Sequence, residues 1–229
     1  VEFALAEPFP QEVLDRFDII GWDPRGVGGS AGLTCGDEVD AFLDIDPQPD
    51  SGQEQRQLDE AAQAVADECE QTDGEVLPFV GTRDVVQDMD AIREALGEEQ
   101  ITYAGYSYGT ALGLGYLEAF PERVRAMVLD GVVDPTQDLA GFLLAQGQAI
   151  EEQVNALLDG CADDPSCPLD DAGTAYDRVA AQLDEAPLPG GDGEVGPSEL
   201  QTGAVYATYG FEGNDAELLW QALADAEDG

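Results

Sequence analysis

The strongest constraint on how this chain folds lies in ten residues, 101–110, which read ITYAGYSYGT. The first four are β-prone, and the ALGLGYL that follows the stretch is helix-prone. Between the two runs, glycines stand two positions before and two positions after Ser107. A strand, a Gly-x-Ser-x-Gly motif and a helix in that order predict a sharp turn, which lifts the serine hydroxyl clear of a sheet.

Such a turn places demands on its own backbone. Ser107 would adopt a conformation that is unfavourable for a residue with a Cβ, and side chains in place of Gly105 and Gly109 would collide across the turn. The following helix would point its N-terminus at the serine, so the Tyr108 N–H becomes one donor of an oxyanion hole. The alternative is a Gly/Ser-rich turn without chemistry. The flanking strand and helix favour the nucleophile elbow.

The charge balance excludes several classes of partner. The chain carries 50 acidic residues against 8 arginines and has no lysine, which gives a formal net charge of −42. Such a surface repels nucleic acids and anionic membranes. The acidity is typical of a heavily solvated surface adapted to high salt, or it attracts cationic groups such as a peptide's α-amino group. The acids are spread over the whole chain, which favours the solvated surface.

Four cysteines, Cys35, Cys69, Cys161 and Cys167, form an even set that allows three disulfide pairings. A zinc site is disfavoured because the sequence has neither Cys-x-x-Cys nor histidine, and a catalytic thiol would lack a histidine partner as well. No metal or cofactor is implied. Disulfides in an exported protein explain the four cysteines best.

No membrane-spanning or targeting segment is visible in the sequence. No apolar run approaches the length that a bilayer requires. The chain opens on Val1 and has no basic-then-apolar leader. We therefore expect either that a signal peptide has been removed or that the sequence is a fragment.

Strands and helices alternate in the first part of the chain. Nearly continuous apolar runs predict buried strands at residues 17–23 and 124–133, with the strand from residue 101 between them. A helix is predicted from Thr82, as its N-cap, to just before Gly97. This order of elements predicts a parallel sheet with helices on both faces.

A glycine-rich loop, residues 23–30, follows the first predicted strand. It would lie at the carboxyl end of that strand, where open α/β sheets build their sites. Arg25 in this loop is expected to pair with a carboxylate such as Asp23 rather than to bind substrate.

The character of the sequence changes after Pro135. Residues 138–185 are helix-prone and rich in Ala, Leu, Gln and Asp. We therefore predict a core over residues 1–135 and a helical cap over residues 136–229.

Three stretches of the chain carry a resemblance to a known family. They read FDIIGWDPRGVGGS (17–30), TRDVVQDMDAIREALG (82–97) and, within 101–135, GYSYGT, FPERV and VLDGVVDP. Together they resemble the tripeptidyl and prolyl aminopeptidase-like branch of the α/β-hydrolases, which are secreted serine exopeptidases. The resemblance covers roughly residues 15–170 and is specific as a combination of motifs. It implies an α/β-hydrolase core, with a mainly parallel sheet and helices on both faces, and an inserted helical cap.

The resemblance also implies the site. It assigns the role of nucleophile to Ser107 and that of an oxyanion donor to the backbone N–H of Tyr108. It further implies two disulfides, Cys35–Cys69 and Cys161–Cys167. The branch takes its second oxyanion donor from a His-Gly-Gly-Pro-Gly-like loop that this sequence lacks. Asp130 and Asp134 follow the strand after the elbow, where some hydrolases carry their catalytic acid, but the resemblance implies a structural role for them.

The sequence contains no histidine. A serine hydroxyl is a weak nucleophile without a positioned base, and there is no lysine to act in place of histidine. The catalytic Asp and His are therefore expected outside this chain. The resemblance implies an exported aminopeptidase that releases short N-terminal peptides or residues by acyl transfer through Ser107. The alternatives are a carboxylic-ester hydrolase on the same fold, acting on small esters, and a catalytically inactive binding module.

The net charge of −42 predicts that the fold is more stable in salt. Salt shortens the Debye length from about 30 Å at 0.01 M to about 3 Å at 1 M and so screens the self-repulsion. We expect the melting temperature to rise with NaCl, beginning at concentrations too low for general salting-out. A melting temperature that stays flat or falls over this range would contradict the prediction.

Overall fold

A computed structural model describes residues 9–190, 193–210 and 213–228 of the chain. These residues divide into two compact units. The first contains the described residues up to Gly36 together with Asp67–Pro135, and the second contains Asp37–Ala66 and the described residues from Thr136 onward. Residues 37–66 are thus grouped with the later part of the chain, and the cap over residues 136–229 stays a prediction.

Helices dominate both units. The α-helices are α1 Gln11–Leu14, α2 Glu38–Leu43, α3 Gly52–Asp73, α4 Thr82–Ala95, α5 Tyr108–Ala119, α6 Leu139–Gly160, α7 Ala172–Glu185, α8 Pro197–Ala207 and α9 Asp215–Asp228. The strands are β1 Ile101–Tyr106, β2 Val124–Asp130, β3 Leu188–Gly190 and β4 Gly193–Val195. Short 3-10 turns lie at Leu77–Phe79, Pro121–Arg123 and Cys161–Asp163.

The first unit is built on a β1–α5–β2 crossover. The two strands are parallel, with Thr102 opposite Ala126 and Tyr106 opposite Asp130. Antiparallel strands can be joined by a tight hairpin, but parallel strands need a crossover, and α5 provides it. Helix α5 comes close to the strands at Gly113, where a Cβ would lie 2.8 Å from both the Leu129 side chain and the Tyr103 ring.

Helices α4 and α5 pack together on one face of this strand pair. The core between them consists of Val85, Val86, Met89, Tyr103, Leu112 and Tyr116. The α4 residues among these recur at the spacing of one helix face, as the sequence predicts. Side chains on the other face of the strands are more accessible, and Tyr106 is 50% and Val128 61% exposed.

Two predictions about this unit are corrected by the structure. Residues 17–23 do not form a strand, and Phe17 and Ile20 are exposed. A strand forms only where a neighbouring strand takes up its backbone hydrogen bonds, and within the described residues the parallel pairing is between β1 and β2. The N-cap of α4 is Gly81, so Thr82 is the first helical residue rather than the cap.

Arg25 has a carboxylate partner, but it is not Asp23. Its guanidinium binds both oxygens of Asp88 on α4, at 2.6 and 2.5 Å, and donates to the Phe79 carbonyl at 3.1 Å. Asp23 instead accepts a hydrogen bond from the Gly29 N–H at 2.9 Å, which closes its own loop. The glycine-rich loop is therefore attached to helix α4 by a bidentate ion pair between Arg25 and Asp88.

A second ion-pair cluster joins α4, α5 and the 3-10 turn that precedes β2. Asp90 accepts hydrogen bonds from Arg93 Nε at 2.9 Å and from the Tyr116 hydroxyl at 3.2 Å, and it is also paired with Arg123. Burial raises the pKa of Asp90, but the hydrogen bonds from Arg93, Arg123 and Tyr116 outweigh burial and hold that pKa below its usual range. The cluster places positive charge beside the Asp90 carboxylate, which would otherwise destabilise the interior.

Both disulfides are present in the structure, as Cys35–Cys69 and Cys161–Cys167. The first links the segment after the glycine-rich loop to helix α3, and Asp73 at the end of α3 accepts a hydrogen bond from the Cys35 N–H. The second closes a loop of the second unit, where Cys161 is buried.

The second unit is a set of packed helices with a short β3–β4 hairpin pairing. Helices α6 and α7 begin at aspartate N-caps, in which Asp138 accepts from the Gly141 N–H and Asp171 from the Thr174 N–H, each at 2.8 Å. The core of the unit is formed by Leu158, Cys161, Ala172, Val179, Leu183, Ala204, Ala207, Leu219, Trp220 and Leu223. Across the ranges that the structure describes, no helix is long and apolar enough to cross a membrane.

The lowered pKa of Asp90 predicts a specific loss of stability in acid. A carboxyl whose pKa is lower in the folded than in the unfolded state adds stability above the unfolded pKa, near 4, and this is lost as the pH falls through the folded pKa. Asp90→Asn should therefore be less stable than the wild type at neutral pH, and the two should converge towards pH 2. Melting temperatures between pH 2 and 7 measure this, and a gap that stays constant with pH would contradict it.

Candidate active site

Ser107 occupies the turn between β1 and α5. Its backbone angles are φ 51° and ψ −121°, a region that side chains with a Cβ rarely adopt. Holding a residue there costs on the order of 1–3 kcal/mol. The residue is exposed, so its hydroxyl is accessible from solvent. The strand, the strained serine and the helix follow in the order that the sequence predicts.

Hydrogen bonds fix the Ser107 backbone on both sides. Its N–H donates to the Asp130 carbonyl at 3.0 Å, which ties the turn to the end of β2. Its carbonyl accepts from the Thr110 N–H at 2.9 Å and from the Thr110 hydroxyl at 2.6 Å. The Thr110 hydroxyl also accepts from the Val133 N–H at 2.9 Å. The unfavourable angles of Ser107 are therefore held by bonds from two directions.

The two flanking glycines differ in whether the turn has room for a side chain. A Cβ at Gly105 would lie 2.6 Å from both the Gly109 carbonyl oxygen and the Tyr103 ring, so only glycine fits there. A Cβ at Gly109 would meet only the Tyr103 hydroxyl, at 3.4 Å, an ordinary contact. The prediction that a side chain at either position collides across the turn therefore holds for Gly105 and is wrong for Gly109.

Tyr103, on β1, stabilises the turn through a hydrogen bond. Its hydroxyl donates a hydrogen bond to the Gly109 carbonyl at 2.8 Å. Burial raises the pKa of the Tyr103 phenol, so the hydroxyl keeps its proton and remains a donor at neutral pH. The first turn of α5 is thereby attached to the strand that precedes it.

Tyr108 is the first residue of α5. The N–H groups of a helix's first turn have no partner within the helix, and they form the positive end of its dipole. The Tyr108 side chain is 56% exposed, and its hydroxyl is hydrogen-bonded to the hydroxyl of Thr82 at the start of α4. The position of Tyr108 is compatible with the predicted role of its N–H, which stays a prediction.

Asp130, the last residue of β2, contributes its backbone to the turn. Asp130 supplies the carbonyl that accepts from the Ser107 N–H. The sequence has no histidine to act as the base. Within the described ranges, no group of His, Cys, Asp and Glu is arranged to hold a metal ion.

Sequence reasoning missed Thr110 and the partners of the arginines. Thr110 is fully buried, and both of its contacts stabilise the turn. The sequence feature that could have identified Thr110 is its position directly after Gly-x-Ser-x-Gly in GYSYGT. Asp88 and Asp90 lie in TRDVVQDMDAIREALG, where they resemble ordinary solvent-facing acids of an amphipathic helix.

The two flanking glycines allow a matched test of the turn. Gly105→Ala forces overlap with backbone and should destabilise the full-length protein by about 1–3 kcal/mol. Gly109→Ala lies in a helix, where alanine is preferred over glycine by about 1 kcal/mol, and should be neutral or stabilising. Urea unfolding of both variants measures this, and equal losses of stability would refute the assignment.

Comparison with known proteins supports the fold. Residues 3–182 match the model of a family described as "alpha/beta hydrolase fold". The chain is similar to the serine protease Hip1 of Mycobacterium tuberculosis (strain ATCC 25618 / H37Rv), with 40% identity over 175 residues, 74% of this chain and 34% of that protein. It is also similar to the tripeptidyl aminopeptidase of Streptomyces lividans, with 37% identity over 193 residues, 80% of this chain and 35% of that protein.

A third relative is named for a different activity. Carboxylesterase B of M. tuberculosis (strain CDC 1551 / Oshkosh) is 37% identical over 211 residues, 86% of this chain and 40% of that protein. The chain spans about a third of the length of Hip1 and of the tripeptidyl aminopeptidase. All three names support the prediction of a hydrolase. Because the family model matches most of the chain, the predicted family and fold class are confirmed, and the chain belongs to the α/β-hydrolase fold family.

Proposed function

We propose that these residues carry the nucleophile of an exported serine aminopeptidase, which releases short peptides or single residues from the N-terminus of a peptide. The observation that carries this proposal is the strained, exposed Ser107 between a strand and a helix. Strained backbone is retained where the surrounding structure over-determines it, and such residues cluster at active sites. A turn that only connected two elements would not need this conformation.

In the proposed reaction, the Ser107 hydroxyl attacks the carbonyl carbon of the scissile bond. The Tyr108 N–H donates to the oxygen on which negative charge develops, and the positive end of α5 favours the same charge. A histidine from outside these residues takes the proton of Ser107 and returns it to the leaving amine, and an aspartate, also from outside, orients that histidine and stabilises its charged form. An acyl-enzyme on Ser107 is then hydrolysed by water.

The choice of a peptide substrate rests on the relatives. Two of them are named as a serine protease and a tripeptidyl aminopeptidase. The disulfides Cys35–Cys69 and Cys161–Cys167 support export, because such bonds persist in oxidising compartments and are rare in the cytosol.

A carboxylic-ester hydrolase is the second candidate. The similarity to a protein named carboxylesterase B favours it, since that relative is matched over 86% of this chain. Both functions use the same nucleophile and oxyanion hole, because acyl transfer from an ester and from an amide pass through the same kind of tetrahedral intermediate. They differ in what the rest of the site recognises.

The two candidates are separated by substrates that differ only at the N-terminus. A site that binds a free α-amino group leaves its acceptors unpaired when that group is acetylated, which costs far more than a lost methylene. The full-length protein should cleave tripeptide anilides with free N-termini at least about 100-fold faster, in kcat/KM, than their N-acetylated forms.

The control for this assay is Ser107→Ala. Removal of a serine nucleophile lowers kcat on the order of 10⁶-fold in serine proteases, so cleavage should disappear. Equal rates on free and blocked peptides, with short-chain esters cleaved faster than both, would favour the esterase. Unchanged cleavage by Ser107→Ala would refute both candidates.

A further inference from the structure

Thr110 connects the turn at Ser107 to a second segment of the chain. Its hydroxyl donates to the Ser107 carbonyl at 2.6 Å and accepts from the Val133 N–H, 23 residues further on, at 2.9 Å. The side chain is completely buried, so water does not compete for either bond. A threonine in a helix often binds the carbonyl three or four residues before it, and the second bond goes beyond that common arrangement.

Residues 130–133 hold the turn at two places. The Asp130 carbonyl accepts from the Ser107 N–H at 3.0 Å, and the Val133 N–H donates to the Thr110 hydroxyl that binds the Ser107 carbonyl. The peptide group before Ser107 is thus tied to the end of β2, and the one after it is tied, through Thr110, to the segment that follows β2. Loss of the Thr110 hydroxyl would remove the second of these ties and leave the first.

The Ser107 carbonyl and the Tyr108 N–H belong to one peptide group. A peptide group is planar and trans, so its C=O and N–H point in opposite directions. Fixing the direction of the carbonyl therefore fixes the direction of the N–H. A hydrogen bond to the carbonyl also polarises the group and strengthens its N–H as a donor.

We propose that Thr110 is a positioning residue for the oxyanion hole, which orients and polarises the Tyr108 N–H through the Ser107–Tyr108 peptide group. The proposal rests on the proposed function, in which that N–H stabilises the oxyanion. Because the negative charge develops in the transition state, Thr110 affects the rate of acylation and not the binding of substrate. The carbonyl retains its bond from the Thr110 N–H at 2.9 Å, so removal of the hydroxyl weakens the alignment without abolishing it.

The test compares Thr110→Val and Thr110→Ser in the full-length protein. Valine has the shape of threonine but no hydroxyl, whereas serine keeps the hydroxyl and loses the methyl group. Loss of a whole oxyanion donor lowers kcat about 10²–10³-fold. For a misaligned donor we expect Thr110→Val to lower kcat roughly 10- to 100-fold with KM unchanged, and Thr110→Ser to remain within about threefold of the wild type.

Thr208 offers a matched control in the second unit. Its hydroxyl donates to the carbonyl three residues before it, Val205, at 2.7 Å, as that of Thr110 does at Ser107. Thr208→Val should leave kcat and KM unchanged. If Thr110→Val does not fold, Thr110→Ala removes the same hydroxyl with a smaller side chain and is compared with Thr110→Ser in its place.

The outcomes separate this inference from the proposed function. Equal kcat for Thr110→Val and Thr110→Ser, with Ser107→Ala inactive, would overturn the role of Thr110 and leave the nucleophile in place. A change in KM instead of kcat would also overturn it. Activity that survives in Ser107→Ala would overturn the proposed function itself. If no hydroxyl-free variant folds while Thr110→Ser is fully active and as stable as the wild type, the hydroxyl is structural and the positioning role is rejected.

Discussion

The backbone of Ser107 is the constraint on which the first unit depends. Its angles, φ 51° and ψ −121°, are unfavourable for a residue with a side chain, so the turn persists only where neighbouring groups hold it. They hold it from the end of β2 through Asp130, from α5 through Thr110, and from beneath through the bond of Tyr103 to Gly109. Strand pairing, helix packing and the conformation of the turn therefore depend on one another.

Three of the eight arginines of this acidic chain stabilise the elements around that turn. Arg25 attaches the glycine-rich loop to Asp88 on α4, and Arg93 and Arg123 converge on Asp90. Helix α4 is thereby fixed against α5 and the 3-10 turn before β2. The apolar face of α4 packs in the core that it shares with α5 and β1. With 50 acidic residues and 8 arginines, a lost arginine has few substitutes. These contacts join separate segments of the chain.

The local sequence predicted the turn well because its demands are local. A strand, glycines around Ser107 and a helix are read from neighbouring residues, and the structure has them. The strand predicted at residues 17–23 is absent, because a strand needs a partner and the apolar run says nothing about one. The partner of Arg25 and the role of Thr110 depend on residues far along the chain, Asp88 and Val133, which no local pattern brings together.

In the proposed function, the turn presents Ser107 as an activated nucleophile once the whole protein supplies a base. A fluorophosphonate probe reacts with a serine only when that serine is activated, and it forms a stable covalent adduct. The most direct measurement is mass-spectrometric mapping of the adduct after the full-length protein is treated with the probe. The account predicts one adduct, on the peptide that contains Ser107, and none in Ser107→Ala. An adduct on a different serine, or equal labelling of Ser107→Ala, would contradict it.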